Sequence, residues 1–164
     1  MGIARLMPLT LAFVLALFAG AGSAASLDAK SAEAVVGIIE RLNEDFGPVA
    51  FDEEEADRWF ESDADEQGLI GKAGFDQQRW KTAFDETIAG YLATLPDDQI
   101  LAAFEALRQR VGKSSAVNAE QRQYLLAEID NQAVQLGRIR AQGAAHAAIV
   151  RPLAPRLAKL VPLR

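Results

Sequence analysis

Apolar residues recur every three or four positions along most of the chain beyond residue 30, which is the spacing of one face of an α-helix. Gly47 and Pro48 end the first such pattern, since glycine adopts a left-handed conformation and proline cannot continue a helix. The pattern therefore predicts a first helix that ends at Phe46. Its apolar face contains Ala32, Val35, Ile39, Leu42 and Phe46.

Acidic residues mark the starts of the next helices, because the helix dipole favours negative charge at the amino end. The acids at 52–55 predict a short second helix that extends to about Ser62 and buries Trp59 and Phe60. Asp76 predicts the start of a third helix, with Phe75 before it packed on Trp80. Its inward face contains Trp80, Phe84, Ile88, Tyr91 and Leu95.

A fourth helix begins at Pro96 and is followed by a break at 112–115. Its apolar residues are Ile100, Phe104, Leu107 and Val111. Asn118 and Gln121 have the spacing of a capping box, which predicts a long fifth helix extending to about Gln142. The inward residues of that helix are Leu125, Ile129, Gln132, Leu136 and Ile139. A polar Gln132 on this face either fixes the register of the helices or lines a groove.

The last segment is apolar at Ile149, Leu153, Leu157 and Leu160. Pro152 and Pro155 each lack a backbone donor, so we expect the segment to kink or split near Arg151. No run of the chain alternates with the period of two that indicates a strand. The predicted fold is all-α, a single irregular antiparallel bundle of five to six helices.

Residues 1–25 have the features of a cleaved signal peptide. Arg5 precedes an apolar run from Leu6 to Phe18, and small residues follow, which predicts cleavage after Ala24 or Ala25. Residues 26–164 then form a single helical domain in the periplasm or outside the cell. The alternative is an uncleaved membrane anchor, since the 22 residues from 6 to 27 carry no charge.

The composition excludes several classes of protein. Half of the 164 residues are hydrophobic and none is cysteine, so the chain folds by packing, without disulfides or cysteine-ligated zinc. His146 is the single histidine, which excludes a multi-histidine metal site within one chain, and no serine stands in a G-x-S-x-G turn. We expect a protein with no cofactor and no catalytic site, with His146 a packed or partly exposed helix residue.

Charge is unevenly distributed along the chain. Residues 26–76 have a net charge of −11 and residues 77–164 a net charge of +4. The basic end is an amphipathic segment at about 143–164, in which Arg151, Arg156 and Lys159 lie opposite Leu153, Leu157 and Leu160.

Three interpretations of this basic segment remain open. Its leucines pack on the bundle while its basic residues face solvent or the acidic half. Alternatively, the leucines anchor a partner protein, or the segment binds an anionic membrane surface. Nucleic acid is excluded as a partner, because the chain is acidic overall and no aromatic residue accompanies the basic ones for stacking.

An acidic loop at 63–76 resembles the start of an EF-hand calcium loop. Asp63, Asp65 and Gln67 occupy the first, third and fifth positions, and Gly68 follows where the loop turns sharply. Gly74 stands at the twelfth position in place of the bidentate glutamate, so any calcium site here is weak. The other interpretation is an acidic linker between helices.

These observations predict an exported helical protein that acts without catalysis, by binding a protein of the periplasm or cell envelope. The alternative is a small-ligand binding module. Its ligand would be an apolar molecule in a groove between helices, or calcium held weakly at 63–76.

Overall fold

The chain is helical throughout the residues that the computed structural model describes, which are 27–49 and 54–161. Helices account for 82% of these residues and none of them lies in a strand. The predicted all-α class is thus confirmed. The signal-peptide prediction at 1–25 falls outside the described residues, as do two of the acids, Asp52 and Glu53.

Five helices of eleven or more residues carry most of the described structure, and shorter turns connect and follow them. The helices are α1 (Ala29–Phe46), α2 (Glu55–Asp65), α3 (Leu69–Lys72), α4 (Gln77–Thr94), α5 (Asp97–Lys113), α6 (Ala119–Gly143), α7 (Ala147–Val150) and α8 (Ala154–Leu160), with a 3₁₀ turn at Arg151–Leu153. The C-terminal segment is therefore split at Arg151, where its prolines predicted a break.

Local capping explains where α4 and α6 begin. The Asp76 carboxylate accepts a hydrogen bond from the Arg79 N–H at 2.8 Å, as predicted for the start of α4. Asn118 and Gln121 form the predicted capping box, in which each side chain accepts the backbone N–H of the other, at 2.9 and 3.0 Å. These bonds satisfy N–H groups that the first turn of a helix leaves unpaired.

The core lies around α4, which contacts α1, α2, α6, α7 and α8. Trp80 of α4 is fully buried, with its ring centroid 5.8 Å from that of Phe75 and 5.4 Å from that of Phe84. Its indole N–H donates to the carbonyl of Ala56 at 2.8 Å. The packing of Phe75 on Trp80 is as predicted, whereas Phe60 is only half-buried.

The α5 and α6 helices are the least buried of the long helices. Ile100 is the buried residue of α5, while α6 buries Ile129, Leu136 and Gly143. The expectation that Gln132 points inward is wrong, because its side chain is exposed and its amide donates to Glu128 at 3.3 Å. It lies beside the buried line through Ile129 and Leu136, and its long side chain extends into water.

None of the helices at 27–49 and 54–161 is both long enough and apolar enough to cross a membrane. The most apolar run in the sequence, in the predicted leader, is outside these ranges.

Candidate interaction surface

The leucines of the C-terminal segment are core residues. Leu153, Leu157 and Leu160 are all buried and belong to the same hydrophobic cluster as α1 and α4. The interpretation in which they anchor a partner or enter a membrane is therefore corrected. The prolines at 152 and 155 break the segment into short turns that fold its apolar side against the core, so a continuous amphipathic helix does not form.

Arg156 joins this segment to the first helix. Its guanidinium donates two hydrogen bonds to Glu40, at 2.8 and 2.6 Å, and one to Glu33 at 2.5 Å. These bonds lower the pKa of the Glu40 carboxyl, and they raise the pKa of Arg156. Among the predicted surface residues, Arg151 and Lys159 are exposed.

The segment at 63–76 is not a continuous loop, because it includes the end of α2 and the whole of α3. Its first carboxylate, that of Asp63, is used for folding. Asp63 is 1% exposed, and its two oxygens accept the backbone N–H groups of Leu69 and Ile70, at 2.9 and 2.8 Å. A calcium ion at this residue would compete with one or both of these bonds for the carboxylate oxygens. Asp65 is exposed, and Gln67 donates to Asp45 at 3.1 Å. The described residues contain no group of three or more His, Asp or Glu side chains that could hold a metal ion.

His146 is half-buried and lies in the turn between α6 and α7, so the expectation of a helix residue is wrong. Its Nε2 lies 3.7 Å from a carboxylate oxygen of Glu86, whose other oxygen accepts the Leu27 N–H at 2.9 Å. Its Nδ1 is buried and has no hydrogen-bond partner among the residues at 27–49 and 54–161. Glu86 thus holds the backbone just before α1. We assign His146 no chemical role.

Exposed large apolar side chains occur on α5 and α6. Among the described residues they are Leu101, Tyr124 and Val134, which are 67%, 70% and 57% exposed. Single exposed apolar residues are normal on a protein surface. All three of these lie on the hairpin of α5 and α6, which makes this hairpin the candidate surface for a contact with another molecule.

Two of these residues belong to a regular row along the outer side of α6, which we call the α6 stripe. The stripe consists of Glu120, Tyr124, Ala127, Asn131, Val134 and Arg138, all exposed. Successive members are four, three, four, three and four positions apart, which is the spacing of a coiled-coil seam. At about 100° per residue, the stripe lies opposite the buried line through Ile129 and Leu136.

Sequence reasoning misses the stripe because the inward face of the same helix is more apolar. The signal of the stripe is the heptad spacing of Tyr124, Ala127, Asn131 and Val134, which only two large apolar side chains support. Exposure, which the sequence does not give, distinguishes the stripe from the core.

A surface cleft of about 440 Å³ lies at the amino end of the stripe. Its lining residues are Val117, Glu120, Gln121, Tyr124 and Leu125. The cleft combines apolar side chains with one carboxylate and one amide. It therefore offers room for an apolar side chain of a partner or for a small molecule.

The charged residues of α6 fall into two groups. Arg122 donates to the carbonyls of Ser114 and Val117, and Arg140 donates to Asp97 at 2.6 Å. Asp130 accepts from Arg108 at 2.7 Å, and Glu128 accepts from Gln132. In contrast, Glu120 and Arg138 make no ion pair or side-chain hydrogen bond with any residue that the structure describes. These two charges mark the ends of the stripe.

No family model matches this chain, and comparisons with curated proteins and with solved structures likewise found no match.

Proposed function

We propose that this chain is an exported, non-catalytic helical protein that acts by protein–protein interaction in the periplasm or cell envelope, through the α6 stripe. The observation that supports the proposal is the exposure of Tyr124 and Val134 within a coiled-coil spacing on the outer side of α6. Such a seam recognises another helix, whose apolar side chains pack between its own.

The energetic reason for a partner is the apolar area of the stripe. Removing apolar surface from water stabilises a contact by about 25 cal/mol per Å², and aromatic side chains such as that of Tyr124 contribute most at interfaces. Charged ends and an uncharged middle are typical of an interface with a dry centre and a wet rim.

The proposal also includes the cleavage of the leader and the fold of the mature chain. We infer that cleavage after Ala24 or Ala25 releases a mature chain that folds as a single irregular antiparallel bundle. Mass spectrometry of the protein recovered from a periplasmic extract tests this step. A chain that begins at Ala25 or Ser26 agrees with it, whereas an intact leader in the membrane fraction supports the anchor.

Photo-crosslinking in intact cells tests the interaction surface. A photoreactive residue at position 124 or 134 should give crosslinked products, because both side chains lie in the proposed contact. The same residue at position 158 is the matched control, since Ala158 is exposed on the C-terminal segment. If only position 158 gave crosslinked products, the basic segment would be the contact surface and the proposal would be contradicted.

The cleft at the amino end of α6 supports a second candidate, a binding site for a small apolar ligand. The cleft is shallow and open to solvent, with a volume of about 440 Å³, and its lining is mostly apolar. Native mass spectrometry of protein purified from its own host would show a retained ligand as added mass. The Tyr124→Ala variant should lose that mass if the ligand lies in this cleft.

A further inference from the structure

We propose that the partner of the α6 stripe is the same stripe on a second copy of this chain, with the two α6 helices antiparallel. This inference rests on the proposed function and specifies its partner. It follows from the order of residues along the stripe and from the charges at its two ends.

The stripe is complementary to itself when reversed. Its midpoint is position 129, so a twofold axis there places each member opposite another member of the second copy. Glu120 then faces Arg138, Tyr124 faces Val134, and Ala127 faces Asn131. Each layer thus pairs opposite charges, two apolar side chains, or a polar amide with a small methyl group.

The charges select the antiparallel orientation. In a parallel pair, Glu120 would face Glu120 and Arg138 would face Arg138, and like charges across a contact are unfavourable. The antiparallel pair joins the two charges of α6 that have no partner among the described residues. The other charged residues of α6 already have partners within the chain, and they are not required at the contact.

The charge of the whole hairpin permits a second copy as the partner. Residues 97–143 contain six acidic and six basic residues and are neutral, in a chain with a net charge of −6. Two copies can therefore approach through this hairpin without the repulsion that their acidic parts would cause elsewhere.

The contact is short. The stripe spans about 27 Å along α6, from Glu120 to Arg138. The two helices therefore form six layers, two for each of the three pairings. The amide of Asn131 near the centre weakens the contact, because a polar side chain within a seam costs stability while it specifies register. We expect a weak, reversible dimer, because small interfaces are typical of transient contacts.

Charge reversal tests the pairing by sedimentation equilibrium of the processed chain. Glu120→Arg and Arg138→Glu should each raise the dissociation constant roughly tenfold, because a twofold contact contains the altered pair twice. The double variant E120R/R138E restores the opposite charges and should return the dissociation constant to near the wild-type value. Glu61→Arg on α2 is a matched control that reverses an exposed carboxylate outside the stripe.

Cysteine crosslinking tests the orientation, and the natural absence of cysteine makes the result unambiguous. Chains with Ala127→Cys and chains with Asn131→Cys should form a disulfide dimer when mixed and oxidised, and much less when each is oxidised alone. A parallel contact would reverse this result, since each variant would then crosslink to itself.

The outcomes separate this inference from the proposed function. A wild-type chain that stays monomeric at hundreds of micromolar, or a double variant as weak as the singles, overturns the dimer. If positions 124 and 134 then still crosslink to another protein in cells, the proposed function stands with a different partner. Absence of every crosslinked product from these positions overturns both. Far-ultraviolet circular dichroism of each variant establishes that it is folded.

Discussion

Gly143 of α6 lies directly against the backbone of Ala89 in α4. A Cβ atom on Gly143 would be 2.0 Å from the carbonyl oxygen of Ala89 and 2.7 Å from the backbone nitrogen of Gly90. Real Cβ atoms do not approach other atoms so closely, so this position accepts only glycine. The close crossing of α4 and α6 therefore requires glycine at position 143.

The first prediction concerns this crossing. Gly143→Ala should lower the free energy of unfolding by about 3 kcal/mol, the upper part of the range for overpacking, since the obstructing atoms are backbone and cannot rotate away. Urea unfolding followed by tryptophan fluorescence measures the change. Gly137→Ala in the same helix is the control. It has nothing within 4 Å and should increase stability by about 0.5–1 kcal/mol. Equal effects of the two variants would contradict the close crossing.

The second prediction concerns the hydrogen bond of the buried Trp80. Trp80→Phe removes the donor to the Ala56 carbonyl and leaves a small void, which should cost about 2–3 kcal/mol of stability. Trp59→Phe is the comparison, because the Trp59 N–H donates to Glu55 at 3.1 Å and Glu55 retains its ion pair with Arg58. We expect a smaller loss for Trp59→Phe. Thermal unfolding measured by circular dichroism gives the order, and the reverse order would count against this account.

The sequence predicts helices well where the signal is local. The caps at Asp76 and Asn118, and the end of α1 at Gly47, each depend on residues within four positions of one another. Such signals are complete in the sequence, because the groups that they satisfy belong to the same turn. The break near Arg151 was predictable for the same reason, since proline changes its own backbone.

Partners that are distant in the sequence are harder to predict. One of the three interpretations of the basic segment has its leucines packed on the bundle and its basic residues facing the acidic half, but the sequence does not name the partners. Arg156 contacts Glu40, 116 positions away, and the Leu157 side chain joins a core formed largely by α1 and α4. The pattern of an amphipathic segment shows which of its sides is apolar, but it does not show which other helix that side packs against. For the same reason the helical spacing predicts an inward Gln132, although only part of that face of α6 is covered. The α6 stripe is distinguished from the core by its exposure, which depends on how the helices pack.

The third prediction concerns the segment at 63–76. Asp63→Asn replaces one acceptor oxygen with an amide nitrogen that faces a backbone N–H, so we expect a loss of about 1–3 kcal/mol. Asp65→Asn, at the exposed last residue of α2, should change stability little. Urea unfolding measures both effects, and a neutral result for Asp63→Asn would exclude the capping role.

The same segment gives a fourth prediction, which concerns calcium. Because both oxygens of Asp63 are bonded to backbone N–H groups, we expect millimolar calcium to leave the fluorescence of Trp59 and Trp80 unchanged. Titration of calcium into the processed chain, with magnesium as the control, measures this. A saturable response to calcium that disappears in Asp63→Asn would instead support the weak EF-hand-like site.

The fifth prediction is a pH dependence that arises at Arg156. The bonds from Arg156 hold the pKa of Glu40 below its ordinary value of 4.5, so the carboxylate is the favoured form in the folded protein. This contribution to stability is present above the ordinary pKa and is lost as the pH falls through the lowered one. Because both side chains are more than one third exposed, at 34% and 39%, we expect only about 1 kcal/mol from the network.

Arg156→Gln should therefore lower the free energy of unfolding by about 1 kcal/mol at pH 7, and the difference from the wild type should shrink below pH 4.5 as Glu40 is protonated. Urea unfolding at a series of pH values, at low and high salt, measures it. Arg151→Gln is the matched control, since Arg151 is exposed and makes no ion pair with any described residue. A difference that stays constant down to about pH 2.5 would show that Arg156 acts through packing of its aliphatic part, because protonation of the carboxylates would then leave its contribution intact.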